Sequence, residues 1–204
     1  MARIKHGGDW NTNPKALDRL GDTPARAVSL GIAEAEPVDL VRAPPARLPL
    51  LWLTGNVPLK LGDAEANRLK AYLLGGGTLF VDPSAGDARF FQSARSALET
   101  MFGAEAVQPV PVEHALLTGR FAGGVGTDVR TVRYSKALAA SKPGEQTPVL
   151  WGVEIDGRLA AVLSRYGVTC PLEGHPTYGQ MSLTTEDARR LAANVVLYAH
   201  TGGK

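Results

Sequence analysis

A helical pattern stopped by three glycines, then an apolar strand and a polar turn, constrains the fold of this chain more than any other stretch. The glycines are residues 75–77, and residues 78–81 read Thr-Leu-Phe-Val, typical of a strand covered on both faces. Asp82 and Ser84 follow at a turn. In an open α/β sheet such a turn lies at the carboxyl ends of the strands, where ligands usually bind. The glycines are not predicted to bind phosphate, because a phosphate loop follows a strand rather than preceding one.

The elements around this strand predict a mostly parallel sheet with a late antiparallel hairpin. Residues 63–74 carry an apolar stripe at helical spacing, and so do residues 87–102, for which Asp87 is the predicted N-cap. Asp156 and Gly157 are the favoured pair for a two-residue hairpin turn. The other predicted elements are strands at residues 2–5, 27–30, 50–53, 129–134, 149–155 and 159–164, helices at residues 14–20 and 185–199, and a largely irregular stretch at residues 34–49 in which only residues 38–41 can form a strand.

Length and charge limit the class of protein. The chain has 204 residues, enough for one well-cored domain, and we predict a single domain over residues 1–204. Its 22 Lys and Arg residues against 20 Asp and Glu leave a net charge of +2, which predicts no nucleic-acid partner. The only cysteine is Cys170, which excludes an intramolecular disulfide and a multi-cysteine zinc site.

Hydropathy gives no sign of a membrane segment. No apolar run approaches the roughly 20 residues that a membrane helix needs. We therefore expect a soluble chain, cytoplasmic as it stands. A periplasmic location is the alternative if the chain is one domain of a longer protein, since it opens almost directly into a strand.

Polar residues are expected to meet at one edge of the sheet. Three turns, at residues 6–11, 54–56 and 82–87, each follow a predicted core strand, and the carboxyl ends of parallel strands share an edge. The predicted pocket would hold water, an ion or a small molecule, and Asp82→Ala would change ligand or partner binding at little cost in stability. The alternative is that these residues only shape turns, cap a helix or fill the core edge. The candidate ligand-binding residues are His6, Asp9, Trp10, Thr54, Asn56, Asp82, Ser84 and Asp87.

Catalytic and metal-binding interpretations of these residues lack a recognised motif. His6, Asp9 and Asp82 include acceptable metal ligands, but their spacing matches no metal motif, so neither a metal nor another cofactor is predicted. Ser84 and His114 could belong to a triad, yet Asp-Pro-Ser-Ala-Gly is not a Gly-x-Ser-x-Gly nucleophile elbow. His114 is therefore predicted to hold a loop. The remaining secondary candidates are Cys170 and Glu173.

Several segments together resemble a bacterial family known as domain of unknown function 4159. The matching stretches cover nearly the whole chain and are residues 3–10, 53–56, 75–82, 113–114, 156–160, 170–174 and 193–199. The resemblance implies a class I glutamine-amidotransferase-like fold, which is a flavodoxin-like three-layer α/β sandwich. That fold carries its catalytic Cys at the turn occupied here by residues 82–86, so glutaminase activity is not expected.

The resemblance also suggests partners. Longer relatives often carry membrane segments, and some are encoded near MoxR-type ATPases and von Willebrand A-like proteins, which implies a cell-envelope assembly. We therefore predict a non-catalytic domain that binds a ligand or a protein within a larger assembly. The alternative is a hydrolase that uses Asp82 and Ser84 on a carbohydrate or an amide.

Overall fold

The computed structural model describes residues 1–21, 34–42, 48–122, 126–174 and 178–203. Within these residues a seven-stranded sheet is surrounded by helices. The strands are β1 Ala2–Lys5, β2 Ala35–Asp39, β3 Leu50–Gly55, β4 Thr78–Pro83, β5 Val107–Pro109, β6 Leu150–Ile155 and β7 Arg158–Ser164. The helices are α1 Asp18–Gly21, α2 Asp63–Leu74, α3 Ala88–Phe102, α4 Ala115–Thr118, α5 Lys136–Ser141, α6 Thr169–Leu172 and α7 Thr185–His200.

The strand order across the sheet is β2-β1-β3-β4-β7-β6-β5. The first five strands in this order run parallel, whereas β6 is antiparallel to both of its neighbours. β7 therefore lies beside β4 although about 80 residues separate them, and it brings the loop that follows it to the carboxyl edge of β4. The register places Thr54 opposite Asp82 at this edge.

Alternate residues of the central strands enter two separate cores. Trp52 and Phe80 pack on one face of the sheet with α7 and the residues around α1. Leu53 and Val81 pack on the other face with α2 and α3. Because both faces are covered, the central strands are apolar without alternation, as the sequence of residues 78–81 predicts. The architecture is an α/β sandwich with a mostly parallel sheet.

Most of the strongly patterned elements are confirmed. Strand β1, helix α2 and helix α7 lie where they were predicted, to within one residue. Asp87 caps α3 by accepting hydrogen bonds from the backbone N–H groups of Arg89 and Phe90. The hairpin turn has Asp156 at φ 51° and Gly157 at φ 73°, the left-handed pair of a type I′ turn.

The weakly patterned predictions need correction. Residues 129–134 do not form a strand but contribute an isolated bridge from Tyr134 to Leu183. The predicted helix at residues 14–20 shrinks to α1, because the Pro14 carbonyl accepts a hydrogen bond from Arg3 and the Lys15 N–H donates to Glu173. Sequence reasoning missed the three-residue strand β5. It also placed β2 three residues too late, and the strand predicted at residues 27–30 lies outside the described residues.

No helix in the described ranges is long and apolar enough to cross a membrane.

Candidate functional site

The three predicted turns lie at one edge of the sheet. They follow β1, β3 and β4, which are neighbours and run parallel. We call residues 6–11, 54–56 and 82–87 the rim. The loop after β7 joins them, because β7 pairs with β4 in parallel. The rim therefore meets the first condition for a shared site, and the contacts of each side chain decide what chemistry it can perform.

His6 is held as a neutral ring by its own neighbours. Its Nδ1 accepts a hydrogen bond from the Gly8 N–H at 3.1 Å, so Nε2 carries the proton and donates to the Thr54 carbonyl at 2.9 Å. Burial lowers the pKa of His6, an effect that the Thr54 carbonyl only partly offsets. Both ring nitrogens are thus occupied. His6 joins the turns after β1 and β3, and in this arrangement it is not available as a base or a metal ligand.

Asp82 is fully buried, which corrects its predicted place in a solvent-filled pocket. Its Oδ1 accepts from the Val168 N–H at 2.6 Å and its Oδ2 from the Thr169 N–H at 2.9 Å. The hydroxyls of Thr169 and Thr54 also bond to the carboxyl. Burial raises the pKa of Asp82, and these hydrogen bonds oppose the rise. The carboxyl anchors the loop after β7 to the end of β4, so the premise that Asp82→Ala loses no core contact is wrong.

Ser84 belongs to a buried polar network at the carboxyl edge of the sheet. Its hydroxyl donates to Asn13 Oδ1 at 3.0 Å, and Asn13 Nδ2 donates to Glu173 Oε2 at 2.9 Å. Glu173 Oε1 also accepts from the Lys15 N–H at 3.1 Å. Sequence reasoning missed Asn13, which reads as an ordinary residue before Pro14. These hydrogen bonds tie together the loops after β1, β4 and β7.

An alanine occupies the strained position of the turn between β4 and α3. Ala85 has φ 53°, a left-handed conformation that non-glycine residues rarely adopt. Gly86 follows at φ 78°, and a Cβ there would lie 2.1 Å from the Met181 carbonyl oxygen. The strained residue of this turn therefore carries only a methyl group. Its side chain has no atom that can attack a substrate.

The rim presents a different set of side chains to solvent. Asp9 is exposed, Trp10 and Asn56 are half-buried, and Val57 beside them is 38% exposed. The turns touch, since a Cβ at Gly8 would lie 3.1 Å from Val57 Cγ2. The Arg89 guanidinium borders this surface, donating to the Asn56 carbonyl at 3.4 Å and pairing with Asp87 at 2.9 Å. We call Asp9, Trp10, Asn56, Val57 and Arg89 the outer surface.

The secondary candidates do not assemble with Ser84 into a triad. His114 caps α4 through Nδ1 and borders a cavity of about 270 Å³ with Glu154 and Leu159, next to the β6–β7 hairpin turn and away from the carboxyl ends of β4 and β7. Its predicted structural role fits this contact, and burial lowers its pKa. The buried Cys170 donates from Sγ to Gln180 Oε1 at 3.1 Å. Among the residues described, no three His, Cys, Asp or Glu side chains are grouped to hold a metal ion.

Comparison with known proteins identifies a family rather than an individual relative. No curated protein matches the chain. A family model described as a domain of unknown function, DUF4159, matches residues 1–200. The match covers the whole sheet and the rim, in agreement with the resemblance seen in the sequence. The chain therefore belongs to the DUF4159 family.

Proposed function

We propose that this protein is a non-catalytic binding domain that recognises a partner protein or a small ligand through the outer surface of the rim. The observation that carries the proposal is the occupancy of the inner polar groups. The polar side-chain atoms of three inner residues form hydrogen bonds with other parts of the protein: those of His6, Asp82 and Ser84. Side chains whose hydrogen-bonding atoms are all occupied within the protein hold the turns in place. The side chains of the outer surface are then the ones that can contact a partner or a ligand.

The strand order supports a flavodoxin-like relationship. The order β2-β1-β3-β4, with β7 in the fifth position, parallels the 2-1-3-4-5 order of flavodoxin-like sheets. Such sheets bind ligands at the switch point between the first and third strands. Here that point lies between the turns that carry Trp10 and Asn56. We infer an amidotransferase-like scaffold in which Ala85 stands at the strained turn after β4, consistent with a domain that lacks glutaminase activity.

The hydrolase alternative is less well supported. A serine nucleophile needs a base that accepts its proton. The Ser84 hydroxyl instead donates to an amide oxygen of Asn13, which is not a base. Ser84 is also 5% exposed. This arrangement favours a structural role for the serine.

The partner class is proposed from family association. Some relatives are encoded near MoxR-type ATPases and von Willebrand A-like proteins, and we infer that this chain works with proteins of those classes in a larger, cell-envelope assembly. The outer surface suits such a role because an indole, an aliphatic side chain and charges of both signs lie together on it.

Site-specific photo-crosslinking tests the proposal. A photoreactive phenylalanine analogue at position 10 is expected to yield a defined protein adduct in the native host. The same analogue at position 74 is the control, because Leu74 is 58% exposed at the end of α2, away from the rim. The captured protein, once purified, should bind the wild-type chain and lose affinity for Val57→Asp.

Two results would contradict this function. One is equal adduct formation at positions 10 and 74. The other is turnover of glutamine or p-nitrophenyl acetate that disappears in Ser84→Ala. If Ser84 is structural, the wild type has no such activity for the variant to lose.

A further inference from the structure

A groove beside the rim has an unusual combination of an aromatic wall and acidic side chains. Its volume is about 290 Å³, and its lining includes Arg3, Trp10, Asp18, Glu34 and Glu36. The groove lies between the turn after β1 and the start of β2. Trp10 belongs to both the outer surface and the groove. We call this the Trp10 groove.

Among the lining residues that the structure describes, Arg3 is the only cationic one, and its charge is already neutralised. Arg3 is 2% exposed and donates to Asn11 Oδ1 at 2.8 Å and to the Pro14 carbonyl at 2.6 Å. Its Nε lies 2.9 Å from a Glu34 carboxylate oxygen. The guanidinium therefore donates hydrogen bonds from both terminal nitrogens and forms an ion pair with Glu34, so that one of the three carboxylates balances its charge.

Two carboxylates of the Trp10 groove are left over. Asp18 and Glu36 are both exposed, and neither forms an ion pair within the part of the chain that the structure describes. Burial raises the pKa of Glu34, with a further contribution from the negative charge of Asp18, which places those two groups within electrostatic reach. Among the lining residues with described positions, the carboxylates thus outnumber the cations by two.

The indole of Trp10 adds a surface that attracts organic cations. The faces of Trp rings bind ammonium and guanidinium groups within about 6 Å of the ring centroid. The Lys5 Nζ already lies 5.6 Å from the Trp10 centroid, so the ring accepts a cation supplied by the chain itself. A ligand cation would compete with this exposed lysine for the same ring.

We propose that the Trp10 groove binds an organic cation, an ammonium or guanidinium group, with Trp10 as its aromatic wall and Asp18 and Glu36 as its counter-charges. The proposal deepens the proposed function, on which it rests, by naming the chemistry that the surface recognises. The described carboxylates are not grouped as a three-ligand metal site, so an organic cation suits the lining better than a metal ion. The cation can come from a Lys or Arg side chain of a partner or from a free amine.

Titration with agmatine, followed by ¹H–¹⁵N NMR of the tryptophan indoles, tests the proposal. The chain has three tryptophans, and Trp10→Phe assigns the signal of Trp10. We expect that signal to shift saturably with a dissociation constant on the order of millimolar, as befits so small a ligand, and butyrate to cause no saturable shift. A short Gly-Gly-Arg-Gly-Gly peptide distinguishes the source. Tighter binding than agmatine identifies a protein side chain, and weaker binding identifies a free amine.

Variants with opposite expected effects separate binding from misfolding. Asp18→Asn and Glu36→Gln should each weaken agmatine binding several-fold, and together about tenfold or more. Lys5→Gln should tighten it, because it removes the competing cation. Glu145→Gln is the control, since Glu145 is an exposed carboxylate between α5 and β6 that pairs with Lys142 and is not among the described lining residues of the groove.

The proposal is overturned if the Trp10 signal shows no saturable shift, or if the acidic variants and Lys5→Gln bind agmatine as the wild type does. The proposed function fails separately. A defined crosslink at position 10 without agmatine binding would support the proposed binding domain and refute only its recognition of a cation. Agmatine binding without a crosslink would refute the protein partner.

Discussion

The fully buried carboxyl of Asp82 makes a quantitative prediction about stability. Asp82→Ala leaves the N–H groups of Val168 and Thr169 without an acceptor inside the protein. A buried, unsatisfied donor costs about 1–3 kcal/mol, so two of them cost about 2–6 kcal/mol. The variant no longer buries a carboxyl, and the hydroxyls of Thr54 and Thr169 can rotate, so we expect a net loss near the lower half of this range, about 3 kcal/mol.

Urea unfolding followed by circular dichroism measures this loss at neutral pH. For a chain of this size 1 kcal/mol corresponds to roughly 2–4 °C in Tm, so 3 kcal/mol corresponds to about 6–12 °C. Asp82→Asn should restore no more than half of the loss, because its amide nitrogen faces one of the two N–H donors. Asp9→Ala is the matched control, an exposed aspartate on the same edge, expected to change stability by about 0.5 kcal/mol or less. A loss for Asp82→Ala no larger than that of Asp9→Ala would refute the anchoring role.

Three further predictions concern pH, the hairpin and activity. Burial alone would raise the pKa of Asp187, but hydrogen bonds from Arg133, Thr184 and Arg190 together lower it. The stability that this carboxylate supplies is therefore present above its pKa in the unfolded chain, and it is lost as the pH falls through its pKa in the folded protein. Urea unfolding between pH 7 and pH 3 should therefore show a shallower decline for Asp187→Asn, and parallel curves would count against the linkage. Gly157→Val should lower stability by about 1 kcal/mol or more, because Gly157 has φ 73°. Gly157→Asn should lower it less. An unchanged Tm for the valine variant would show that the position does not require a left-handed backbone. No ammonia should be released from glutamine. Ammonia release that disappears in Cys170→Ser would contradict this prediction, because it would show that the chain has an amidotransferase nucleophile.

Local sequence determined the elements whose signals lie within a few residues of one another. Helix α2 follows from its apolar spacing, α3 from the Asp87 cap, and the hairpin from Asp156 and Gly157. Each signal depends on neighbours along the chain, where helical and strand periodicity operate. Apolar strands such as β3 and β4 also identified the buried centre of the sheet and therefore the edge at which the rim lies.

Only the tertiary structure decided what the rim residues do. The partners of Asp82 are 86 and 87 residues away, and Asn13 meets Glu173 across 160 residues. No local pattern encodes such contacts, because they arise when β7 pairs beside β4 and brings its following loop to the carboxyl edge. That pairing turned a predicted solvent-facing carboxylate into a buried anchor. It also left Asp9, Trp10 and Asn56 among the rim side chains that reach solvent, an exposure that the one-dimensional pattern does not specify.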